Sequence, residues 1–111
     1  MEVLKEIQLE KEIITEIYDN ISNILISAKE DMKKKDIENC YFKLKSVREI
    51  LYALMLSLNL DESEIAKRLF PLYFYLYKRV IEANLTKNQE IIDEVVSIIK
   101  TLREGYSIII N

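Results

Sequence analysis

The apolar residues of this chain recur in alternating steps of three and four, in four separate segments. That spacing places them on one face of an α-helix, which repeats every 3.6 residues. The pattern predicts helices over about 2–34, 37–58, 61–84 and 86–111. The predicted core stripes are Leu4, Ile7, Ile14, Tyr18, Ile21, Leu25, Ala28 and Met32; Ile37, Cys40, Leu44, Val47, Leu51, Leu54 and Leu58; Leu69, Leu72, Leu76, Val80 and Ala83; and Ile92, Val95, Ile99, Leu102, Tyr106 and Ile109.

Short polar stretches mark the predicted helix ends. Capping side chains satisfy the free N–H groups of a first turn, and Asn tolerates the left-handed backbone that often follows a last turn. The predicted N-caps are Asp36, Asp61 with Glu64 as its capping-box partner, and Thr86 with Gln89, and the predicted C-terminal residues are Asn59 and Asn84. Pro71 interrupts the third segment, but the apolar spacing crosses it without slipping, which favours one kinked helix over two shorter ones.

Four helices joined by short connections predict an all-α, antiparallel up-down-up-down four-helix bundle in a single domain, 1–111. One glycine and one proline are too few for the many turns of a strand-rich fold. The first helix is the longest, so its N-terminal turns are expected to overhang the others. Overhanging apolar residues there (Val3, Leu4, Ile7 and Leu9) need a partner, either a neighbouring copy or an external helix.

The composition of the chain disfavours several classes of function. The net charge of −3 comes from interleaved charges and argues against a nucleic-acid partner. No apolar run predicts membrane insertion, and no secretion signal begins the chain, so the cytoplasm is the expected location. The absence of histidine removes Ser-His and Cys-His catalysis and the Glu-x-x-His di-iron sites. We therefore expect no enzyme activity, no cofactor and no metal, with Cys40 as a buried structural thiol. A metal site made of carboxylates alone stays open, although the spacing of the Glu residues does not call for one.

The third segment is rich in aromatic residues, and its apolar surface points in more than one direction. Its series Tyr73 to Asn84 reads Tyr-Phe-Tyr-Leu-Tyr-Lys-Arg-Val-Ile-Glu-Ala-Asn. This resembles the pattern Tyr-x-Tyr-(Met/Leu)-x-(Lys/Arg)-Arg-(Leu/Val)-x-Glu-Ala-Asn of the flagellin export chaperones of the FliS type. Weaker matches follow the same order at 17–19, 36–38, 93–95 and 102–103, so the resemblance covers about residues 14–106.

The resemblance implies a four-helix chaperone whose client is the C-terminal segment of flagellin, which is disordered before assembly. The implied mechanism is coupled folding and binding of amphipathic client helices in apolar grooves, without covalent chemistry. Two departures are the helical-looking segment 1–11, where the family has a flexible tail, and Tyr106, where a Trp is common. The candidate partner-binding residues are Tyr18, Tyr73 and Tyr77, which lie in the matched segments, and Ile24, Ile50 and Phe74, chosen on periodicity.

Two other functions compete with the chaperone reading. A self-associating structural or adaptor module would use the extra apolar faces and the overhang of the first helix to form a homodimer. An enzyme with a carboxylate or tyrosine site inside the bundle has no positive support in the sequence. The family positions Arg79, Glu82 and Asn84 are expected to hold the bundle together, with Arg79 paired to Glu82 one turn on.

Overall fold

The computed structural model describes the backbone of residues 2–110 and the side chains of this range apart from those at 4, 7 and 107–110. The described chain forms four α-helices: α1 (Glu2–Lys33), α2 (Ile37–Ser57), α3 (Glu64–Thr86) and α4 (Gln89–Ile110). Each helix packs on its neighbours in sequence, and α1 also packs on α4, which closes the bundle. The predicted all-α four-helix arrangement is confirmed.

A single core fills the space between the four helices. Most of its members come from the stripes predicted by the 3.6-residue repeat, because each stripe turns toward the bundle axis. Tyr73 and Ile91, predicted beside their stripes, are also buried, whereas Leu72, predicted in the core, is only half-buried. The predicted core side chains of Leu4, Ile7 and Ile109 lie outside the described residues.

Fully buried positions are Tyr18, Ile21, Leu25, Ala28, Cys40, Leu44, Val47, Leu51, Leu76, Val95 and Ile99. Burial also raises the pKa of the Cys40 thiol, which fits its prediction as a structural residue. Ile37 is an exception, because this first residue of α2 is 63% exposed.

Two helix ends follow the prediction. Helix α1 ends at Lys33, within one residue of the expected position, and Lys35 takes the left-handed backbone (φ 61°) that reverses the chain. Asp36 caps α2, since its carboxylate accepts a hydrogen bond from the backbone N–H of Asn39 at 3.3 Å. Helix α3 is one continuous helix through Pro71, as favoured over two shorter helices, and Pro71 is exposed.

The C-terminal end of α2 and the N-terminal cap of α3 differ from the sequence prediction. Helix α2 ends at Ser57 and is followed by an extended Leu58, so Asn59 does not take the expected left-handed conformation. Leu58 packs against the core instead. Helix α3 is capped by Ser63 and not by Asp61, because the Ser63 hydroxyl accepts from the N–H of Ala66 at 3.1 Å.

The connection between α3 and α4 corrects the remaining two caps. Asn84 does not end α3, since the helix continues to Thr86 and Lys87 takes the left-handed conformation (φ 53°). Thr86 does not cap α4, because its hydroxyl donates back to the carbonyl of Glu82. Asn88 takes the capping role, and its side chain accepts from the N–H of Glu90 at 2.9 Å.

Cross-helix ion pairs fix how far α1 extends along the bundle. Asp19 lies level with Arg103 and Lys29 with Asp93, so in this antiparallel register the end of α4 lies level with about residue 12 of α1. The preceding turns of α1 therefore extend past the end of α4. Their described apolar side chains are exposed, 66% for Val3 and 56% for Leu9. The side chains of Leu4 and Ile7, also expected in this overhang, lie outside the described residues.

Candidate partner-binding surface

Two of the predicted partner-binding residues, Tyr18 and Tyr73, lie inside the bundle. Their side chains are 0% and 2% exposed, and their hydroxyl groups form a hydrogen bond with each other at 2.5 Å. The ring of Tyr106 packs edge-on against Tyr18, with centroids 6.3 Å apart. Burial raises the pKa of both Tyr18 and Tyr73, so both phenols stay neutral. In this conformation they join α1 to α3 and present almost no surface to a partner.

Tyr73 also borders a cavity near the end of the bundle at which α2 ends and α3 begins. The cavity has a volume of about 300 Å³. Its lining is mostly apolar and comes from all four helices and from Leu58 after α2. The residues around it are Glu10, Ile13, Ile14, Leu54, Ser57, Leu58, Leu69, Tyr73 and Tyr106.

Ile24 and Ile50 are half-buried and pack against the core. Helix periodicity places both along the boundary between α1 and α2. That boundary is bridged by Lys43 of α2, whose ammonium lies 2.7 Å from a carboxylate oxygen of Asp31 and donates to the Ser27 hydroxyl at 2.8 Å. The two isoleucines therefore lie beside a polar bridge that holds α1 and α2 together.

The α1–α4 boundary is also joined by charged groups. The Lys29 ammonium lies 2.7 Å from the Asp93 carboxylate, and the Arg103 guanidinium donates to Asp19 at 2.6 Å. These pairs are partly exposed, so each contributes little to stability. These ion pairs nevertheless make the outer edge of the α1–α4 boundary polar.

The α3–α4 boundary is joined through Glu94. This carboxylate accepts a hydrogen bond from the Arg79 guanidinium at 2.7 Å and from the Tyr75 hydroxyl. The hydrogen bond from Arg79 is the main reason that the pKa of Glu94 is lowered. Arg79 also pairs with Glu82 one turn further along α3, as the sequence predicted.

The α2–α3 boundary differs from the other three. Between the described residues of these two helices there is no ion pair. Their polar and aromatic contacts include one ring pair and one hydrogen bond to the backbone. The ring of Tyr52 lies against Tyr77 with centroids 5.9 Å apart. The side-chain amide of Asn84 donates to the backbone carbonyl of Tyr41 at 3.3 Å.

We call this surface the α2–α3 groove, and it contains two adjoining depressions. The larger has a volume of about 300 Å³ and the smaller about 220 Å³. The larger is lined by Tyr41, Leu44, Arg48, Val80, Ile81, Asn84 and Leu85, and the smaller by Arg48, Glu49, Tyr52 and Tyr77. Phe74 lies on the same outer side of α3, one turn from Tyr77 and Lys78.

Large apolar side chains in the groove, and Phe74 one turn from Tyr77, are exposed to solvent. Leu85 is 81% exposed, Tyr52 49%, Tyr41 44% and Phe74 43%. Single exposed apolar residues are ordinary on protein surfaces, but a contiguous set in a concave strip is typical of a binding site. Tyrosine suits such sites because its ring buries a large apolar area while its hydroxyl can stay in water.

Cations border the groove. The ammonium of Lys78 lies over the Phe74 ring, 4.6 Å from its centroid, and that of Lys87 lies 5.8 Å from the centroid of Tyr41. Both are cation–π contacts. The local charge is therefore more basic than the whole chain, whose net charge is −3.

The side chains that line the groove are aromatic, aliphatic, amide and charged groups. Among the described residues, no group of acidic or cysteine side chains is arranged to hold a metal ion. None of the four helices, over the part of the chain described, is both long and apolar enough to cross a bilayer. An open strip of aromatic and aliphatic side chains between two parallel walls fits an amphipathic helix.

Of the predicted site residues, Tyr77 lines the α2–α3 groove, and Phe74 lies one turn from it on α3. Ile24 and Ile50 lie at the α1–α2 boundary instead. The groove is also lined by residues that were not predicted from the sequence, namely Tyr41, Arg48, Tyr52 and Leu85. One signal for them was available, because Tyr41 and Tyr52 are eleven residues apart, about three helical turns, and so share one face of α2. That signal does not show which face is left uncovered.

The fold is an all-helical four-helix bundle with an exposed, largely apolar groove between α2 and α3. The family model described as "Flagellar protein FliS" matches residues 6–111, and the chain belongs to this family of flagellar chaperones.

A solved structure described as "Crystal structure of flagellar chaperone from bacteria" has a similar fold, with a TM-score of 0.82. The two chains are 21% identical, and the match covers 88% of this chain and 80% of the other. No curated protein matches the chain in sequence.

Proposed function

We propose that this chain is a cytoplasmic export chaperone that binds the disordered C-terminal segment of flagellin. The observation that carries the proposal is the α2–α3 groove, the one boundary between described helices with exposed aromatic residues and no ion pair. Membership of the FliS family supports flagellin as the client. Holding the segment in the groove would keep it from polymerising before export.

The dimensions of the groove suit one short client helix. Tyr41 and Tyr52 mark its ends on α2, about 16 Å apart at 1.5 Å per residue. A client helix of about 11 residues has the same length. Its apolar face would cover Tyr52, Tyr77 and Ile81, and its polar face would stay in water. The client pays an ordering entropy on folding, so much of the contact energy is offset and binding is reversible.

The test is calorimetry of the purified chain with a flagellin C-terminal peptide of about 40 residues, which is long enough to span the groove. We expect saturable one-to-one binding with a negative heat-capacity change, because apolar surface is buried. Tyr52→Glu should abolish or strongly weaken binding, since it places a charge among the apolar contacts. Ile26→Glu is the matched control, because Ile26 is 46% exposed and lies on α1. Equal loss in both variants would count against the groove.

The exposed residues of the α1 overhang favour a second candidate function, self-association. Val3 and Leu9 would then be covered by a second copy of the chain. Sedimentation of the purified chain separates the two candidates. A tight dimer that gives no heat with the peptide would support the structural module, whereas a monomer that binds the peptide would support the chaperone.

A further inference from the structure

Arg48 is positioned between the two depressions of the α2–α3 groove and lines both of them. It is half-buried, and it forms no hydrogen bond or ion pair with any residue that the structure describes. The guanidinium groups of Arg79 and Arg103, in contrast, are each held by carboxylates. Arg48 is therefore a partly desolvated cation in the middle of a strip whose other lining residues are apolar or aromatic, apart from Glu49 and Asn84.

A guanidinium in this position is suited to bind a carboxylate. Its five N–H donors lie in a plane that matches the two oxygens of an Asp or Glu side chain, and Arg is less strongly hydrated than Lys. Lys78 and Lys87 border the same groove and add to its positive charge. Glu49 lines the smaller depression, but it is exposed and forms no bond with Arg48. Charge complementarity therefore favours an acidic partner.

We propose that Arg48 determines which client helix the groove accepts, by binding a side-chain carboxylate of that helix. This inference rests on the proposed function and adds a sequence requirement to it. Arg48 is seven residues from Tyr41 and four from Tyr52, about 10 Å and 6 Å along α2. The preferred client helix thus has an acidic residue with an apolar residue four positions to one side and seven to the other.

The test is a double-mutant cycle with the flagellin C-terminal peptide of about 40 residues. Each Asp or Glu of the peptide is replaced singly by Asn or Gln, and every peptide is titrated into the wild-type chain and into Arg48→Gln. We expect Arg48→Gln to raise the Kd of the unmodified peptide by about 5- to 10-fold, between the values for exposed and for buried charge pairs. At one acidic position of the peptide, and only there, replacement by Asn or Gln should raise the Kd for the wild-type chain by the same factor. The same replacement should not raise the Kd for Arg48→Gln any further.

Arg68→Gln is the matched control, because Arg68 is exposed on α3 and also has no partner among the described residues. It removes the same charge outside the groove and should change Kd less than twofold. Equal effects of the two variants, or no single coupled position, would overturn the inference and leave the proposed function standing. A loss coupled only to the free C-terminus, seen with an amidated peptide, would also overturn it. Absence of binding by the wild type would overturn both proposals.

Discussion

The hydroxyl groups of Tyr18 and Tyr73 meet in the interior of the bundle, where each is the other's partner. This hydrogen bond joins α1 and α3, which lie diagonally across the core and do not otherwise pack closely against each other. A buried hydroxyl without a partner is unfavourable by about 1–3 kcal/mol, whereas replacing both partners by apolar groups of the same shape is nearly neutral. Removing one hydroxyl group should therefore destabilise the fold more than removing both.

The first prediction concerns that pair. Tyr73→Phe should lower the free energy of unfolding by about 1–2 kcal/mol, because it leaves the Tyr18 hydroxyl buried without a partner. The double variant, with Tyr18→Phe added, should be more stable than the single variant. Urea unfolding monitored by circular dichroism measures both. If the two losses simply add, the hydroxyl groups do not depend on each other and the geometry is wrong in solution.

The second prediction concerns the cap of α3. Ser63→Ala should lower the free energy of unfolding by about 1 kcal/mol, because the N–H of Ala66 loses its acceptor. Asp61→Ala should change it by less than about 0.5 kcal/mol, since this residue lies outside the cap and is exposed. The same urea unfolding experiment compares the two. A larger loss for Asp61→Ala would restore the cap that the sequence favoured.

The positions of these caps could not be predicted from the sequence alone. The helices and the core were predictable, because burial of one apolar stripe requires the 3.6-residue repeat over many turns. A cap depends on one or two hydrogen bonds, and Asp61 and Ser63 offer the chain comparable acceptors only two residues apart. Packing decides between them, since α3 begins where Ala66 reaches the core edge. The same competition moved the end of α3 from Asn84 to Thr86.

The candidate site was predictable only in part, for a related reason. Tyr77 was chosen on the family resemblance and Phe74 on periodicity, and both stay predictions as client-binding residues. Periodicity showed that α3 has apolar surface beyond one stripe. It could not separate Tyr73, which points inward, from Tyr77 one turn later. Nor could it show which boundary would be left open, because that depends on pairs such as Arg79 with Glu94, which join residues of different helices.

The third prediction is a pH dependence that arises from Glu94. The pKa of this carboxyl is lowered in the folded chain, mainly by the hydrogen bond from Arg79. The resulting stabilisation is fully present above the unfolded pKa of about 4.3 and is lost as the pH falls through the lower folded pKa. At pH 7, we expect the wild-type chain to unfold at a higher urea midpoint than Glu94→Gln. This difference in midpoint should become smaller below about pH 4. A difference that is constant with pH would contradict this origin.

The fourth prediction separates binding from folding. Leu85→Ser changes a side chain that is 81% exposed in the α2–α3 groove, so the free energy of unfolding should stay within about 0.5 kcal/mol of wild type. Its affinity for the flagellin peptide should fall several-fold, because a docked helix would bury this side chain. Val3→Ser, at a 66% exposed position in the overhang of α1, is the control and should leave peptide affinity unchanged. If Val3→Ser instead weakens peptide binding and Leu85→Ser does not, the client docks along α1 and the groove is not the site.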